Sequence, residues 1–406
     1  MKILKYILIL ISIPIFLILL YLNIALLYGA TCDENENGTV NTEVVQQLNF
    51  IKTELESGVG EEMQGIYPEG YVFIYSLYGL AWADIGETLK PNSDLHQKAI
   101  QELDWTIEKL NSALAKSIFP DDLTLKYGAY YRGWTNCVLA KKLVITPENQ
   151  RDSTEIKLLQ FNCDEISEAI NAYEYPYLPS YDGQAWQADN ILCLASLAIH
   201  DKIFEPRYAD DIEAWLMKIK ETVDKETGLI GHFFDYQTNQ TFPARGSSQS
   251  LINAFLFEID SAFANAQTAI YKDKFLTYRF GLPGIREYPK GTEGSGDIDS
   301  GPVIWNIGGA ASIVGIRTMG LAGETAVYKG LRNSVQAFGV GLVKDNQKQF
   351  LFGKLPIADA FIAWANAKNC QISQEHSYWQ WKFQLLNLGI LALFGGLFGL
   401  LLKPKK

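Results

Sequence analysis

Apolar residues recur three and four positions apart through most of the chain, the spacing of one helix face. That period predicts helices near 42–57, 70–87, 94–116, 123–143, 149–173, 184–201, 207–225, 247–263, 264–279, 302–319, 323–341 and 356–368. Turn-rich stretches separate them, and strand-like alternation is confined to a hairpin at Leu229–Phe242 with Thr238 and Asn239 near its turn. Taken in order the segments pair into six helical hairpins, with no low-complexity linker between them. These counts predict an all-α fold, an (α/α)6 toroid with one terminal transmembrane helix at each end.

The ends follow a different pattern. From Leu4 to Leu27 the chain is almost continuously apolar, interrupted by Ser12, Pro14 and Asn23. At about 1.5 Å per residue such a run spans the hydrocarbon core, and it is longer than the apolar region of a cleaved signal. A second run, Leu385–Leu402, follows Tyr378, Trp379 and Trp381, which suit a membrane interface. The expected division is an N-terminal anchor over 1–30, a toroid domain over 39–378 and a C-terminal transmembrane helix over 383–403. Lys2 and Lys5 precede the first run; Lys403, Lys405 and Lys406 follow the second; Asp33, Glu34 and Glu36 lie just after the first. By the positive-inside rule both termini are cytoplasmic and the main domain is extracytoplasmic, periplasmic or at the cell surface, with the lipid bilayer as a partner.

Charge and composition narrow the chemistry. A net charge of −11 excludes a basic groove for nucleic acid. The aromatic content of 13% suits a lined pocket and equally a core between helices. Five cysteines form no CxxC pair, and His96, His200, His232 and His376 have no ligand spacing, so neither a metal nor a cofactor is expected. Cys32 and Cys370 flank the two apolar ends, where a disulfide between them would close the domain. Cys137, Cys163 and Cys193 fall in helical patterns, as buried apolar residues do.

In a toroid of this kind alternate helices form an outer and an inner ring, and the segments entering the inner helices share one face. The inner-helix N-termini point to that face, where their dipoles favour anionic groups. The entries carry Glu69 and Tyr71; Tyr127; Tyr181, Asp182, Trp186, Asp189 and Asn190; Arg245, Ser247 and Ser248; Arg286, Glu287, Asp297 and Asp299; and Asp359. The opposite connections read as plain turns.

Asp297, Asp299, Asp182 and Asp189 are the catalytic candidates, since two carboxylates in unlike environments divide into an acid and a base. Against this, Asp299 or Ser300 serves equally as the cap of a helix starting at Pro302, and Asp189 as one half of an ion pair with Arg245 or Arg286. Arg245-Gly-Ser247-Ser248 resembles a small anion- or hydroxyl-binding turn, with an N-cap at Ser247 as the plainer role. Glu69, Tyr71, Tyr127, Tyr181, Trp186, Asn190, Arg286 and Glu287 are expected to bind substrate alongside it. No Ser has a His at an interpretable spacing, which disfavours a Ser-His-Asp hydrolase.

The six hairpins, the Tyr181-Asp-x-x-x-Trp186-x-x-Asp189-Asn190 entry and the Asp297-Ile-Asp299-Ser300-Gly-Pro302 loop resemble the six-hairpin glycosidase superfamily over most of 42–368. The resemblance implies a carboxylic acid that protonates a leaving oxygen and a carboxylate that activates water, roughly 6.5–9.5 Å apart in an inverting enzyme. The expected function is thus a membrane-anchored, extracytoplasmic carbohydrate-active enzyme acting on a small molecule or oligosaccharide. The toroid also serves polysaccharide lyases, sugar epimerases and linalool dehydratase/isomerase. A lyase or isomerase for an alcohol or lipid-like substrate, or a non-catalytic glycan binder, are the alternatives.

Overall fold

A computed structural model describes residues 2–28, 32–298, 300–368 and 381–402. In chain order the helices are α1 (Lys2–Ala25), α2 (Thr42–Glu56), α3 (Val59–Ile66), α4 (Gly70–Glu87), α5 (Asp94–Leu110), α6 (Ala113–Lys116), α7 (Gly128–Ile145) and α8 (Ser153–Ala172). They continue with α9 (Gln187–Ile203), α10 (Ala209–Glu221), α11 (Gly246–Ile259), α12 (Ser261–Phe275), α13 (Gly309–Leu321), α14 (Thr325–Phe338), α15 (Pro356–Ala367) and α16 (Trp381–Leu402).

Helices α4, α7, α9, α11, α13 and α15 each pack on the next, and α15 returns to α4. This closed ring is the inner layer; α2, α5, α8, α10, α12 and α14 pack outside it. The sequence assigns the layers. In α4 almost every residue from Gly70 to Gly86 is buried, as expected of a helix that is apolar all round. In α5 the buried positions are His96, Ala99, Leu103, Thr106 and Leu110, a single stripe spaced three and four apart. Trp82, Trp134 and Trp364 are fully buried on inner helices, where truncation to Ala costs about 3–5 kcal/mol.

One end of the ring is filled by charge. Arg317 of α13 bonds Asp84 of α4 through Nη1 at 2.5 Å and Nη2 at 3.2 Å, and also donates to the Trp364 carbonyl at 3.1 Å. Nearby, Lys141 bridges Glu87 and Glu258, and Lys368 pairs with both. The cavity lies at the other end, where the inner helices begin.

Several boundaries differ from the sequence reading. The segment expected as a helix from Pro302 is first a hairpin, Val303–Ile304 against Ile307–Gly308, and α13 starts only at Gly309. Trp305 and Asn306 take left-handed φ values of 50° and 66°, which makes the tight turn and stops a helix from starting there. The expected helix 264–279 likewise ends at Phe275, and Leu276–Arg279 pairs with Leu282–Ile285. Ser112 interrupts 94–116 by capping α6 through the Ala115 amide. The hairpin within 229–242 forms as Phe233–Asp235 with Gln240–Thr241, and Gln184–Trp186 joins it as a third strand.

The terminal helices pack on one another, and α1 lies along α14. Tyr21 Oη donates to the Ala337 carbonyl at 3.1 Å, and Asn333 Nδ2 donates to the Leu26 carbonyl at 3.0 Å. The two helices therefore run antiparallel, and the earlier residues of α1 extend beyond Phe338, the last residue of α14. Phe383, near the start of α16, shares a small core with Leu26, Leu282 and Ala337. Because α14 ends where the chain turns to enter α15, both terminal helices leave the domain at the cavity end. Trp381–Leu400 is long and apolar enough to cross a membrane; the apolar stretch of α1, Ile9–Ala25, is shorter than that measure requires. Cys32 is disulfide-bonded. Cys370, its expected partner, lies outside the described residues. Cys137, Cys163 and Cys193 are buried free thiols, as their helical placement predicts.

Candidate functional site

The outer helices α2, α5, α8 and α12 are capped by Asn41, Ser93, Asp152 and Asp260, whose side chains accept from amides of the first turn. None of the six inner helices has a side-chain cap at its N-terminus. Several of their first-turn amides are bonded instead by neighbouring loops, as Gly246 is by the Glu287 carbonyl and Ala129 by that of Pro179, and the positive ends of all six dipoles point to a common space.

That space is a cavity of about 870 Å³, continuous with solvent at its mouth. All six inner helices wall it. The α4 entry gives Tyr67, Glu69 and Phe73; α7 gives Tyr130 and Trp134; the α9 entry gives Tyr181, Trp186, Ala188 and Asp189. The segment leading into α11 gives His232, Ser247, Ser248 and Leu251; α13 gives Ala310 and Val314; α15 gives Phe361. The walls are therefore aromatic and aliphatic, and the polar groups are few and convergent, the usual make-up of a small-molecule site.

Two carboxylates face this cavity. Asp189, in the first turn of α9, accepts from Ser180 Oγ at 2.5 Å, and Ser180 Oγ accepts in turn from the Trp186 amide at 3.3 Å. Ser180 is fully buried, so the acid is held from behind by a fixed hydroxyl. Glu69 accepts from the hydroxyl of Tyr181 across the cavity wall. Tyr130 sits between them: burial lifts its phenol well above the ordinary range, and charge at Tyr67, Glu69 and Asp189 lifts it further. Tyr130 is thus a neutral hydroxyl at any working pH.

Beside the start of α9, where the Gln187 amide donates to the His232 carbonyl, His232 Nδ1 lies 2.5 Å from Ser248 Oγ. Burial, aided by the Arg245 charge, pushes the imidazole down to about 4, so it is neutral near pH 7. No interpretable sequence spacing signals this contact, which joins residues sixteen apart. No carboxylate bonds His232 among the described residues, so the third member of a Ser-His-Asp arrangement is missing.

A second polar cluster supports the wall from behind. Arg245 Nε donates to Glu287 Oε1 at 2.8 Å, and Arg245 Nη1 donates to Asp297 Oδ2 at 2.7 Å. Ser247 donates to Glu287 through its hydroxyl at 2.8 Å and its amide at 3.2 Å. A Cβ on Gly246 would stand 1.8 Å from the Arg286 carbonyl, so only glycine lets α11 start this close to that strand. Burial raises the pKa of Glu287, against the opposing pull of Arg245. Burial also works against the charge on Asp297, but Arg245 and the Ser300 amide outweigh it and hold this carboxyl well below the usual range.

Of the residues expected to act, Glu69, Tyr181, Trp186, Asp189, Ser247 and Ser248 line the cavity. Arg245, Glu287 and Asp297 form the cluster behind it. Ser300, expected with Asp299 as a candidate helix cap, instead closes a turn with Asp297 through bonds of 2.9 and 3.0 Å, because no helix starts at Pro302. Ser247 lies inside α11 and donates to Glu287, where an N-cap was expected. Asp182 is an exposed turn residue away from the cavity wall. Asn190 is spent on the backbone of Leu178 and Trp186, and Arg286 on the carbonyls of Tyr288 and Thr292. Tyr71 is buried against Tyr75, and Tyr127 packs on Tyr131 in a groove on the outer side of α7. Asp299 lies outside the described residues. The sequence reading missed Phe73, Tyr130, Trp134, His232 and Phe361. Tyr130 and Trp134, four apart at the start of an inner helix, carry a visible signal; His232 falls within the strand-like segment 229–242, where alternation points to a hairpin and not to a site.

No protein-family model matches the chain, and no curated protein sequence matches it. Among solved structures it is similar to a family 105 glycoside hydrolase of C. acetobutylicum, at 12% identity and a TM-score of 0.46, over 80% of this chain and 99% of that one. It is also similar to a D-mannose isomerase, at 10% identity and a TM-score of 0.42, over 90% of this chain and 91% of that one. Similarity this distant says nothing of the reaction, and the fold rests on the closed ring of helix contacts described above.

Proposed function

We propose that this chain is a membrane-anchored enzyme, its main domain outside the cytoplasm, that performs acid–base chemistry on a carbohydrate. The observation that carries this reading is the convergence of Glu69 and Asp189 on one aromatic-walled cavity at the uncapped ends of six helices. Tyr181, Trp186 and Tyr130 offer flat faces to a sugar ring, while the two carboxylates supply an acid and a base for proton transfer at a glycosidic oxygen and a water. Asp189 is anchored by Ser180, and Glu69 is oriented by Tyr181. The apolar helices at both ends are the anchors, and their flanking lysines support cytoplasmic termini. The disulfide at Cys32 fits an oxidising compartment.

A second reading is a lyase or isomerase for an alcohol or lipid-like substrate. It is favoured by the exit of both terminal helices at the cavity end, which turns the mouth toward the bilayer, and by the largely apolar wall of the cavity. The experiment is a turnover screen of the full chain in phosphatidylcholine nanodiscs, with oligosaccharides in one arm and long-chain alcohols in the other. Asp189→Asn and Glu69→Gln are each expected to lower turnover at least ~100-fold. Oligosaccharide binding without turnover, unchanged by either substitution, would refute the enzyme reading. A cysteine placed at Ser295 should react with an impermeant label from outside the cell; reaction from the cytoplasm alone overturns the topology.

A further inference from the structure

The inner ends of α13 and α15 each have two sides. Ala310, Val314 and Phe361 face the cavity, whereas Ser312, Ile313, Ala358 and Ile362 face a second, larger hollow of about 1230 Å³. Its lining is almost wholly apolar, including Leu282, Val335, Phe338 and Phe350, and it includes Phe383 of α16. It lacks the convergent polar groups that small-molecule pockets usually carry.

The rim of this groove is unusual for a surface in water. Phe280, Ile304, Trp305, Phe338, Leu351 and Phe352 are all exposed. Of these, Phe280, Trp305, Leu351 and Phe352 hold left-handed φ values between 48° and 59°. A residue with a large side chain resists that conformation, and contiguous exposed apolar surface of this kind marks an interaction site. The groove is continuous with the terminal helices, since Phe383 belongs both to its wall and to the small core holding α1 and α16. One cation stands in the lining: Arg279 donates to Thr277 Oγ1 and the Tyr278 carbonyl.

We propose that this groove holds an acyl chain of a phospholipid drawn from the bilayer around the terminal helices, with Arg279 facing its phosphate and the aromatic rim seated in the interface. The proposal rests on the membrane reading above. A lipid there would press on the far side of the α13 and α15 starts that wall the cavity.

The test uses the full chain in phosphatidylcholine nanodiscs with p-benzoylphenylalanine in place of Phe338, and in a parallel sample in place of Leu397 on α16. After irradiation, mass spectrometry reads the adducts. Phospholipid adducts are expected at both positions. Ala358→Trp or Val335→Trp, which fill the groove, should lower the adduct at position 338 at least fivefold and leave that at 397 unchanged, with circular dichroism checking the fold of each variant. An adduct at 397 with none at 338, or one at 338 that neither filling variant reduces, overturns the groove proposal alone. Crosslinking of position 338 to a second copy of the chain overturns it in favour of a dimer contact. Absence of lipid adducts at both positions overturns the membrane reading and the groove proposal together.

Discussion

Removing the guanidinium of Arg245 tests whether the wall behind Ser247 is held by charge. Glu287 is fully buried, and its carboxylate accepts from Arg245 Nε at 2.8 Å and from the Ser247 hydroxyl and amide at 2.8 and 3.2 Å. In Arg245→Met the aliphatic stem survives while Glu287 loses its cation. Breaking a buried pair from one side costs about 3–5 kcal/mol. Ser247 still satisfies part of the carboxylate, and Glu287 can take up a proton, so the lower end applies, about 3 kcal/mol. In a domain of this size the thermal midpoint should fall by roughly 5 °C. The pH dependence separates this cause from lost packing. Burial already raises the Glu287 pKa, and without Arg245 it rises further. A carboxyl raised in the folded state stabilises below its unfolded pKa and loses that contribution as pH climbs through the folded value. The deficit of Arg245→Met is therefore full at neutral pH and shrinks on acidification toward the ordinary carboxyl range. Adding Glu287→Gln removes the stranded charge and should recover about half of it at pH 7.5. Chemical denaturation of the full chain in detergent, followed by tryptophan fluorescence at pH 7.5 and 5, reads all three. A deficit below about 0.5 kcal/mol, equal deficits at both pH values, or no recovery in the double variant would refute the reasoning.

Other expectations follow from the same kind of argument. His232 is pushed down to about 4, so its contribution is present above its ordinary 6.5 and is lost as pH falls from there through 4, about 3 kcal/mol in all. Its ring resonances should titrate near 4, and titration near 6.5 would contradict the burial argument. Asp359 is raised to about 7 by burial, despite accepting from Gln47 Nε2 and the Phe350 amide. Its neutral form therefore stabilises below 3.8, and that contribution is lost as pH rises through 7. Asp359→Asn should gain about 2 kcal/mol over the parent at pH 8 and little at pH 4; a gain of the same size at both would show that charge is not the cause. Arg317→Met should cost about 3–5 kcal/mol by stranding Asp84, and Asp84→Leu in the same background should restore much of it. If the second change adds to the loss, the pair acts through packing.

What the sequence determined was the double ring. Period is a local property, and it separates α4, buried on every side, from α5, buried along one stripe, without knowledge of any partner. Alternation of the two layers then puts all six entries on one face, which is why Glu69, Tyr181, Trp186, Asp189, Ser247 and Ser248 were legible as a group. Local signals failed where a turn depended on contacts elsewhere. The hairpin at 303–308 replaced the start of an expected helix, and Asp297, a catalytic candidate by sequence, became the partner of Arg245. Only the tertiary structure set His232 beside Ser248, sixteen residues away, because a third strand at Gln184–Trp186 folds that segment toward the cavity. It also decided on which side of the cavity the terminal helices leave, since antiparallel packing of α1 on α14 is set by contacts more than three hundred residues apart in sequence. Pattern along the chain specifies which face of each helix is buried; which distant residue it is buried against is fixed only when the ring closes.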